Sequence, residues 1–173
     1  MQLIRKSNKI PNNSLILQDI KGFDYCDSFQ IIRNVNDTID KITTEIFIVP
    51  EWVDSMMRFR NSIVRLFGLK GGDKRNVNIV EYYSIGSKAI YFTVIDRNDN
   101  EIVMAENDKH LNFRVSILLE RGEINSNVTF TTIVKFNNVL GRLYFLIILP
   151  FHRLIIKSLL KRTLLLNKNY NGD

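Results

Sequence analysis

Residues 111–136, LNFRVSILLERGEINSNVTFTTIVKF, carry the most regular pattern in the chain. Every second residue from Leu111 to Leu119 is apolar, and a similar alternation runs from Val128 to Phe136. A period of two is typical of β-strands that bury one face. The short polar turn at residues 121–123 favours antiparallel pairing of the two strands. The stretch therefore predicts the centre of an antiparallel sheet.

Further strands are predicted before this hairpin. The segment from Ala89 to Ile95 is rich in β-branched and aromatic residues, residues 96–100 form a polar turn, and residues 101–106 return. Residues 22–32 have a similar composition and predict a first strand. The short connections indicate an antiparallel meander in the second half of the chain.

Two short helices are predicted after the first strand. Asp37 or Thr38 can cap a helix that carries Ile39, Ile42 and Ile46 on one side. The second helix begins at Pro50, because proline suits the first helical position. Its apolar residues recur at spacings of three and four and predict a buried stripe: Trp52, Met56, Phe59, Ile63 and Leu66.

Burial of this stripe has a measurable consequence. If Trp52 is packed in the core, its replacement by alanine is expected to cost about 3–5 kcal/mol. A direct contact of Trp52 with a ligand is the alternative interpretation.

Residues 143–162, LYFLIILPFHRLIIKSLLKR, predict a long final helix. Uncharged residues run only from Leu143 to Phe151, whereas a membrane-spanning helix needs about 20 mostly apolar residues. After Pro150 the pattern is amphipathic, so we expect a helix laid across the sheet and kinked at the proline. No transmembrane span is predicted.

The same helix has two further features. Its basic residues Arg153, Lys157 and Lys161 predict only a weak, salt-sensitive attraction to anionic membranes, with most of the apolar face buried on the sheet. Glycine is unfavourable inside a helix, so Gly141 is expected to have a packing reason, such as close approach to the sheet edge.

Four segments resemble one uncharacterised bacterial domain family: DYCDSF (residues 24–29), PEWVDSMMRFRNSIVRLFGLK (50–70), AENDKHLNFRVSILLE (105–120) and TTIVKFNNVLGRLYFLIILPFHRLIIKSLLKR (131–162). That family is similar to the START and polyketide-cyclase-like helix-grip superfamily (SRPBCC). The resemblance implies an α+β fold in which a curved antiparallel sheet wraps around a long, kinked carboxy-terminal helix. We therefore expect residues 1–173 to form a single START-like helix-grip domain, with loosely ordered ends at 1–20 and 166–173.

Composition excludes several function classes. The net charge of +6 is concentrated at the two ends of the chain rather than spread over a docking face, so no nucleic-acid partner is expected. One cysteine and two histidines are too few to suggest a metal site, and no phosphate-binding or dinucleotide motif is present. No cofactor is expected. The basic start of the chain lacks an apolar signal segment, which predicts a cytoplasmic protein.

The leading functional hypothesis is a non-catalytic module that binds a hydrophobic small molecule or lipid between the sheet and the final helix. The candidate apolar lining residues are Trp52, Phe92, Phe113, Phe130, Tyr144 and Ile148. The alternatives are a cyclase-, hydrolase- or isomerase-like enzyme that uses His110 and Arg114, and a structural or interaction domain with a solid core.

The polar candidates have competing interpretations. Period two places His110 and Arg114 on the sheet face opposite Phe113, where they line a cavity, face solvent or brace a loop. Asp24 and Asp27 are three residues apart on a strand, so they point to opposite faces and are interpreted as structural or surface residues. The expected role of His152 is a bond to a local carbonyl, with a ligand contact as the alternative.

Overall fold

The computed structural model describes residues 4–7, 9–33, 37–48, 52–53, 55, 58, 62, 81–89 and 92–170, with side chains described up to residue 165. These residues form, in chain order, β1 (Arg5–Ser7), α1 (Ile16–Asp19), β2 (Tyr25–Arg33), α2 (Ile39–Phe47), β3 (Lys88–Ala89), β4 (Phe92–Arg97), β5 (Glu101–Asn107), β6 (Leu111–Glu120), β7 (Ser126–Phe136) and α3 (Val139–Tyr170). The strands make one sheet in the order β1-β2-β7-β6-β5-β4-β3, and neighbouring strands are antiparallel. The expected α+β class, with an antiparallel sheet, two short early helices and a long final helix, is confirmed.

The two faces of the sheet bury different elements. Phe29, Val115 and Phe130 point to one face, here called the inner face, where they share a core with α2 and with Ile156 and Leu160 of α3. The opposite face, here called the outer face, is covered by the segment that contains α1. The period-two pattern in β6 and β7 therefore separates two buried layers rather than a core and a solvated surface.

Helix α2 confirms the helix predicted after the first strand. It begins after Thr38, whose side chain accepts a hydrogen bond from the Lys41 N–H at 3.3 Å. Ile39, Ile42 and Ile46 are fully buried against the inner face. A capping hydroxyl and one apolar side were therefore sufficient signals for this element.

The helix predicted from Pro50 lies mostly outside the described residues, although residues 52, 53, 55, 58 and 62 are helical. The expected burial of Trp52 is wrong, since its side chain is 39% exposed. Its neighbour Val53 is 2% exposed instead. Consecutive helical residues point about 100° apart, so burial of Val53 turns Trp52 away from the core.

Helix α1 has only four residues and is held by a buried carboxylate. Glu101 of β5 is fully buried and accepts hydrogen bonds from the Ser14 hydroxyl at 2.5 Å and from the Leu15 N–H at 2.8 Å. The hydroxyl of Ser116 bonds the same carboxylate. Ile16 then packs against Val103 on the outer face. Because several donors satisfy it, the buried Glu101 anchors the amino-terminal segment to the sheet.

The start of α3 is clamped onto the turn before β6. The Asn138 side chain accepts a hydrogen bond from the Gly141 N–H at 2.9 Å, and its amide donates to the Lys109 carbonyl at 3.2 Å. A Cβ added at Gly141 would lie 2.7 Å from the His110 carbonyl carbon and closer still to its oxygen. The prediction that Gly141 permits a close approach of the helix to the sheet edge is confirmed.

Helix α3 continues through Pro150, while the kink expected there stays a prediction. The expectation that most of its apolar face is buried is wrong for its first half. Large side chains there are exposed: Val139, Leu143, Leu146, Ile147 and Leu154. The reason is that Tyr144 and Phe145, on the opposite side of the helix, take up the contact with the rest of the protein.

Length and composition alone would allow residues Val139–Leu165 to cross a membrane. Of the most apolar 18-residue stretch of this helix, 22% is buried within the protein. The short uncharged run from Leu143 to Phe151 is therefore not sufficient to exclude a span. The second half of α3 packs in the core through Ile156, Leu159, Leu160 and Leu164.

Candidate functional site

The site centres on Asp27, a fully buried carboxylate on the inner face of the sheet. It follows Tyr25 and precedes Phe29 in the inward-facing row of β2. The Tyr25 hydroxyl donates a hydrogen bond to Asp27 Oδ2 at 2.5 Å. Asp27 Oδ1 has no hydrogen-bond partner within the described part of the chain. A buried carboxylate is costly unless its oxygens are paired, so this free oxygen calls for an explanation.

His152 approaches Asp27 from α3. Its Nε2 lies 3.6 Å from Asp27 Oδ1, just beyond hydrogen-bond length, and this nitrogen is also buried without a hydrogen-bond partner among the described residues. The imidazole stands edge-on to the Phe113 ring, with 5.6 Å between the ring centroids. Polar atoms at such a separation are often bridged by a third group. A small polar group beside these two atoms would therefore supply the missing hydrogen bonds of both Asp27 Oδ1 and His152 Nε2.

Thr132 supplies a third unpaired atom. It lies directly opposite Asp27 in the β2–β7 register, so the two side chains are neighbours on the inner face. Its buried Oγ1 has no hydrogen-bond partner in the described residues. Asp27, Thr132 and His152 together form what we call the polar cluster. Three of the buried polar atoms without a hydrogen-bond partner in the described residues thus lie where β2, β7 and α3 meet.

Tyr25 closes one side of the polar cluster. Burial, and then the hydrogen bond to Asp27, raise the pKa of the Tyr25 hydroxyl well above its ordinary value, so the group stays protonated and acts as a donor. The Arg153 Nε–H donates to the Tyr25 oxygen at 3.3 Å, and the Phe145 ring packs 4.7 Å from the Tyr25 ring. The phenol is therefore fixed from two sides by α3.

Three of the predicted lining residues meet on the inner face. The Phe92 and Phe113 rings stack with centroids 5.6 Å apart. Phe47 of α2 contacts Phe92 at 6.2 Å and Phe130 at 6.5 Å. These aromatic rings make an apolar wall that reaches the polar cluster through the contact of Phe113 with His152.

The other predicted apolar residues lie elsewhere. Tyr144 and Ile148 pack with Leu111 and Leu140 in a separate small cluster at the start of α3. Trp52 lies on the partly described helix after α2 and is 39% exposed. The structure therefore does not gather the full predicted lining set around one point.

His110 and Arg114 are not brought together. His110 lies in the turn before β6, where its Nδ1 is 3.1 Å from the Asn138 amide nitrogen. Arg114 points to the outer face and pairs with Asp19 of α1, and it donates to Asn107 Oδ1 at 2.6 Å. Arg114 thus braces the amino-terminal segment, in line with the interpretation that this row braces a loop. The use of His110 and Arg114 by an enzyme stays a prediction.

Two of the surface clefts formed by the described residues have no lining residue in the polar cluster. One is next to the β4–β5 turn and includes Asn98, Asn100 and Arg121. The other lies beside β1 and includes Lys9 and Gln30. Neither is bounded by α3. No group of three or more His, Cys, Asp or Glu side chains in the described residues is arranged to hold a metal ion.

The position of Asp27 in β2 is itself a sequence signal for a buried polar site. Asp24 and Asp27 are separated as expected, with Asp24 exposed and bonded to the Phe136 N–H at 2.7 Å. However, Asp27 is separated by an even number of residues from Tyr25, Phe29 and Ile31. It therefore points to the same, inner face of the sheet. A carboxylate in an otherwise apolar inward row is the signature of a buried polar site.

Fold and site define an α+β domain in which an antiparallel sheet and a long final helix enclose a small polar cluster. The chain matches, over residues 20–159, the family described as protein of unknown function DUF2867, and it belongs to that family. No curated protein and no solved structure matches the chain significantly.

Proposed function

We propose that this protein is a non-catalytic binding module that takes a hydrophobic small molecule or lipid between the inner face and α3. The observation that carries the proposal is the polar cluster, whose three unpaired atoms adjoin an aromatic wall. Small-molecule sites commonly combine an apolar lining with a few orienting polar groups. The combination of sheet and helix is compatible with the START-like helix-grip (SRPBCC) superfamily, and we place the protein in the bacterial cytoplasm.

The chemistry of the polar cluster restricts the ligand. Asp27 Oδ1 is an acceptor and needs a donor, while a hydroxyl such as that of Thr132 can donate or accept. A ligand hydroxyl group placed between Asp27 and His152 can donate to the carboxylate and bond the imidazole at the same time. The expected ligand is therefore amphipathic, with a hydroxyl-bearing head at the polar cluster and an apolar body against Phe113.

Mass spectrometry of organic extracts from natively purified protein tests the proposal. Wild type is expected to release a hydroxyl-bearing apolar molecule. His152→Phe fills the gap with an apolar ring and should abolish occupancy. Because it also leaves the buried Asp27 carboxylate without a polar neighbour on α3, melting curves verify that the variant is folded. The matched control is His110→Ala, which should leave occupancy unchanged. Wild type without any bound molecule, or equal occupancy in His152→Phe, contradicts the proposal.

A second candidate function is supported by one observation. An imidazole 3.6 Å from a buried carboxylate is an arrangement suited to general acid–base chemistry, with Asp27 orienting His152. Mass spectrometry also distinguishes the two functions when the molecule identified in the extract is added back to purified protein. A binder returns the added molecule unchanged after incubation with purified protein, whereas an enzyme returns a product that His152→Phe no longer makes.

A further inference from the structure

The exposed side of the first half of α3 is a continuous apolar stripe. Its members are Val139, Leu143, Leu146, Ile147 and Leu154, and Leu146 is 58% exposed. At about 100° per residue these positions fall within roughly 100° of arc, and they extend for roughly 22 Å along the helix. Apolar side chains scattered over a surface are ordinary, but a contiguous stripe marks an interaction surface.

Basic side chains lie beside this stripe and beyond its carboxy-terminal end. Arg142 flanks the stripe, and Lys157 and Lys161 prolong the same side of the helix by two turns; all three side chains are exposed. The sequence of α3 contains no aspartate or glutamate in its 32 residues. The surface therefore combines an apolar stripe with charged side chains that are all cationic.

We propose that α3 docks this surface onto a membrane that contains anionic lipid, lying in the interface with its leucines inserted. Charge complementarity selects this occupant. Anionic headgroups neutralise Arg142, Lys157 and Lys161 while the acyl region takes the stripe. A second copy of the chain would bring these cations against other cations or against apolar side chains, and α3 offers no carboxylate to receive them.

The helix lies on the membrane rather than across it. Its other side is anchored in the protein by Phe145, which contacts Tyr25 and Phe136, and by Leu160, which is fully buried in the main core. Crossing a bilayer would strip these contacts and leave the inner face of the sheet uncovered. Insertion of the exposed stripe alone requires no change in the fold. This inference does not depend on the polar cluster or on a bound ligand.

Vesicle flotation with purified full-length protein tests the inference. Wild type is expected to float with phosphatidylcholine vesicles that contain phosphatidylserine, and part of this binding should persist at high salt because the stripe inserts. The double variant Leu143→Gln/Leu146→Gln should bind at least about tenfold more weakly. Lys157→Gln/Lys161→Gln should lose about fivefold per lysine on anionic vesicles and little on phosphatidylcholine alone.

The matched control is Leu17→Gln. Leu17 is an exposed leucine of α1, which covers the outer face, so its replacement should leave flotation unchanged. All substituted side chains are exposed, and melting curves verify that each variant stays folded. The inference is overturned if wild type fails to float, or if Leu143→Gln/Leu146→Gln floats like wild type. It is also overturned if light scattering shows a dimer that this variant converts to a monomer, or if wild type leaves cell membranes only with detergent.

Discussion

Gly141→Ala is the sharpest test of the contact between α3 and the sheet. The new methyl group would lie 2.7 Å from the His110 carbonyl carbon, so helix and turn must separate by at least 0.7 Å to reach the 3.4 Å of an ordinary contact. Because the obstacle is backbone, no side-chain rotation relieves it. Separation strains two hydrogen bonds of 2.9 Å, from the Gly141 N–H to Asn138 and from the Asn137 N–H to the His110 carbonyl.

The magnitude follows from opposing effects. Loss or weakening of the two hydrogen bonds costs about 0.5–1.5 kcal/mol each, and overpacking adds about 1–3 kcal/mol. Alanine returns up to about 1 kcal/mol through its helix propensity. The net expectation is a loss of about 1–6 kcal/mol, which lowers the melting temperature by at least about 2 °C. The neighbouring exposed Arg142→Ala should change stability by less than about 0.5 kcal/mol. A Gly141→Ala variant that melts above wild type would refute the close approach.

Three further predictions rest on individual buried groups. Burial raises the pKa of Asp40, but hydrogen bonds from Arg97 and the backbone and the Arg97 charge outweigh it and hold that pKa below its ordinary value. The Asp40–Arg97 pair therefore stabilises the folded protein above the ordinary carboxyl pKa, and this stabilisation is lost as the pH falls through the lowered pKa of Asp40. Urea unfolding midpoints measured against pH should show this loss in wild type and a much smaller loss in Arg97→Gln. Glu101→Gln should cost about 1–3 kcal/mol and speed proteolysis of the α1 segment, while exposed Glu123→Gln does neither. Burial, and then a neighbouring carboxylate, raise the pKa of the Cys26 thiol to about 11, so native protein should react with iodoacetamide far more slowly than urea-unfolded protein; equal rates would show an accessible thiolate.

The elements that were predicted correctly carry local signals. The alternation of apolar and polar residues predicts strands β6 and β7. The capping residue Thr38 and the isoleucines on one side predict α2. Helix α1 has no such signal, because its four residues are held by Glu101, which is more than eighty residues distant in sequence. Periodicity also gives only the apolar side of a helix, and on α3 apolar residues occur nearly all round. Which of them become exposed depends on where the sheet lies, as Leu146 and Phe145 illustrate.

The candidate site was recognisable only in part. Phe92, Phe113 and Phe130 could be placed on one sheet face from parity alone. The pairing of Asp27 with His152 could not, since it joins a strand near the start of the chain to a helix near its end. No local pattern encodes such a contact, and only the register of β2 on β7 and the position of α3 create it.

The outermost strand β1 influences how the protein behaves in concentrated solution. β1 is only three residues long, all exposed, and includes Arg5 and Lys6. It pairs with Ser28, Phe29 and Gln30 in the middle of the nine-residue strand β2. Short, charged edge strands resist pairing with other molecules, whereas a long edge with buried isoleucines is a template for aggregation. The three residues of β1 thus protect the middle of this edge from pairing with other molecules and from growth into fibres.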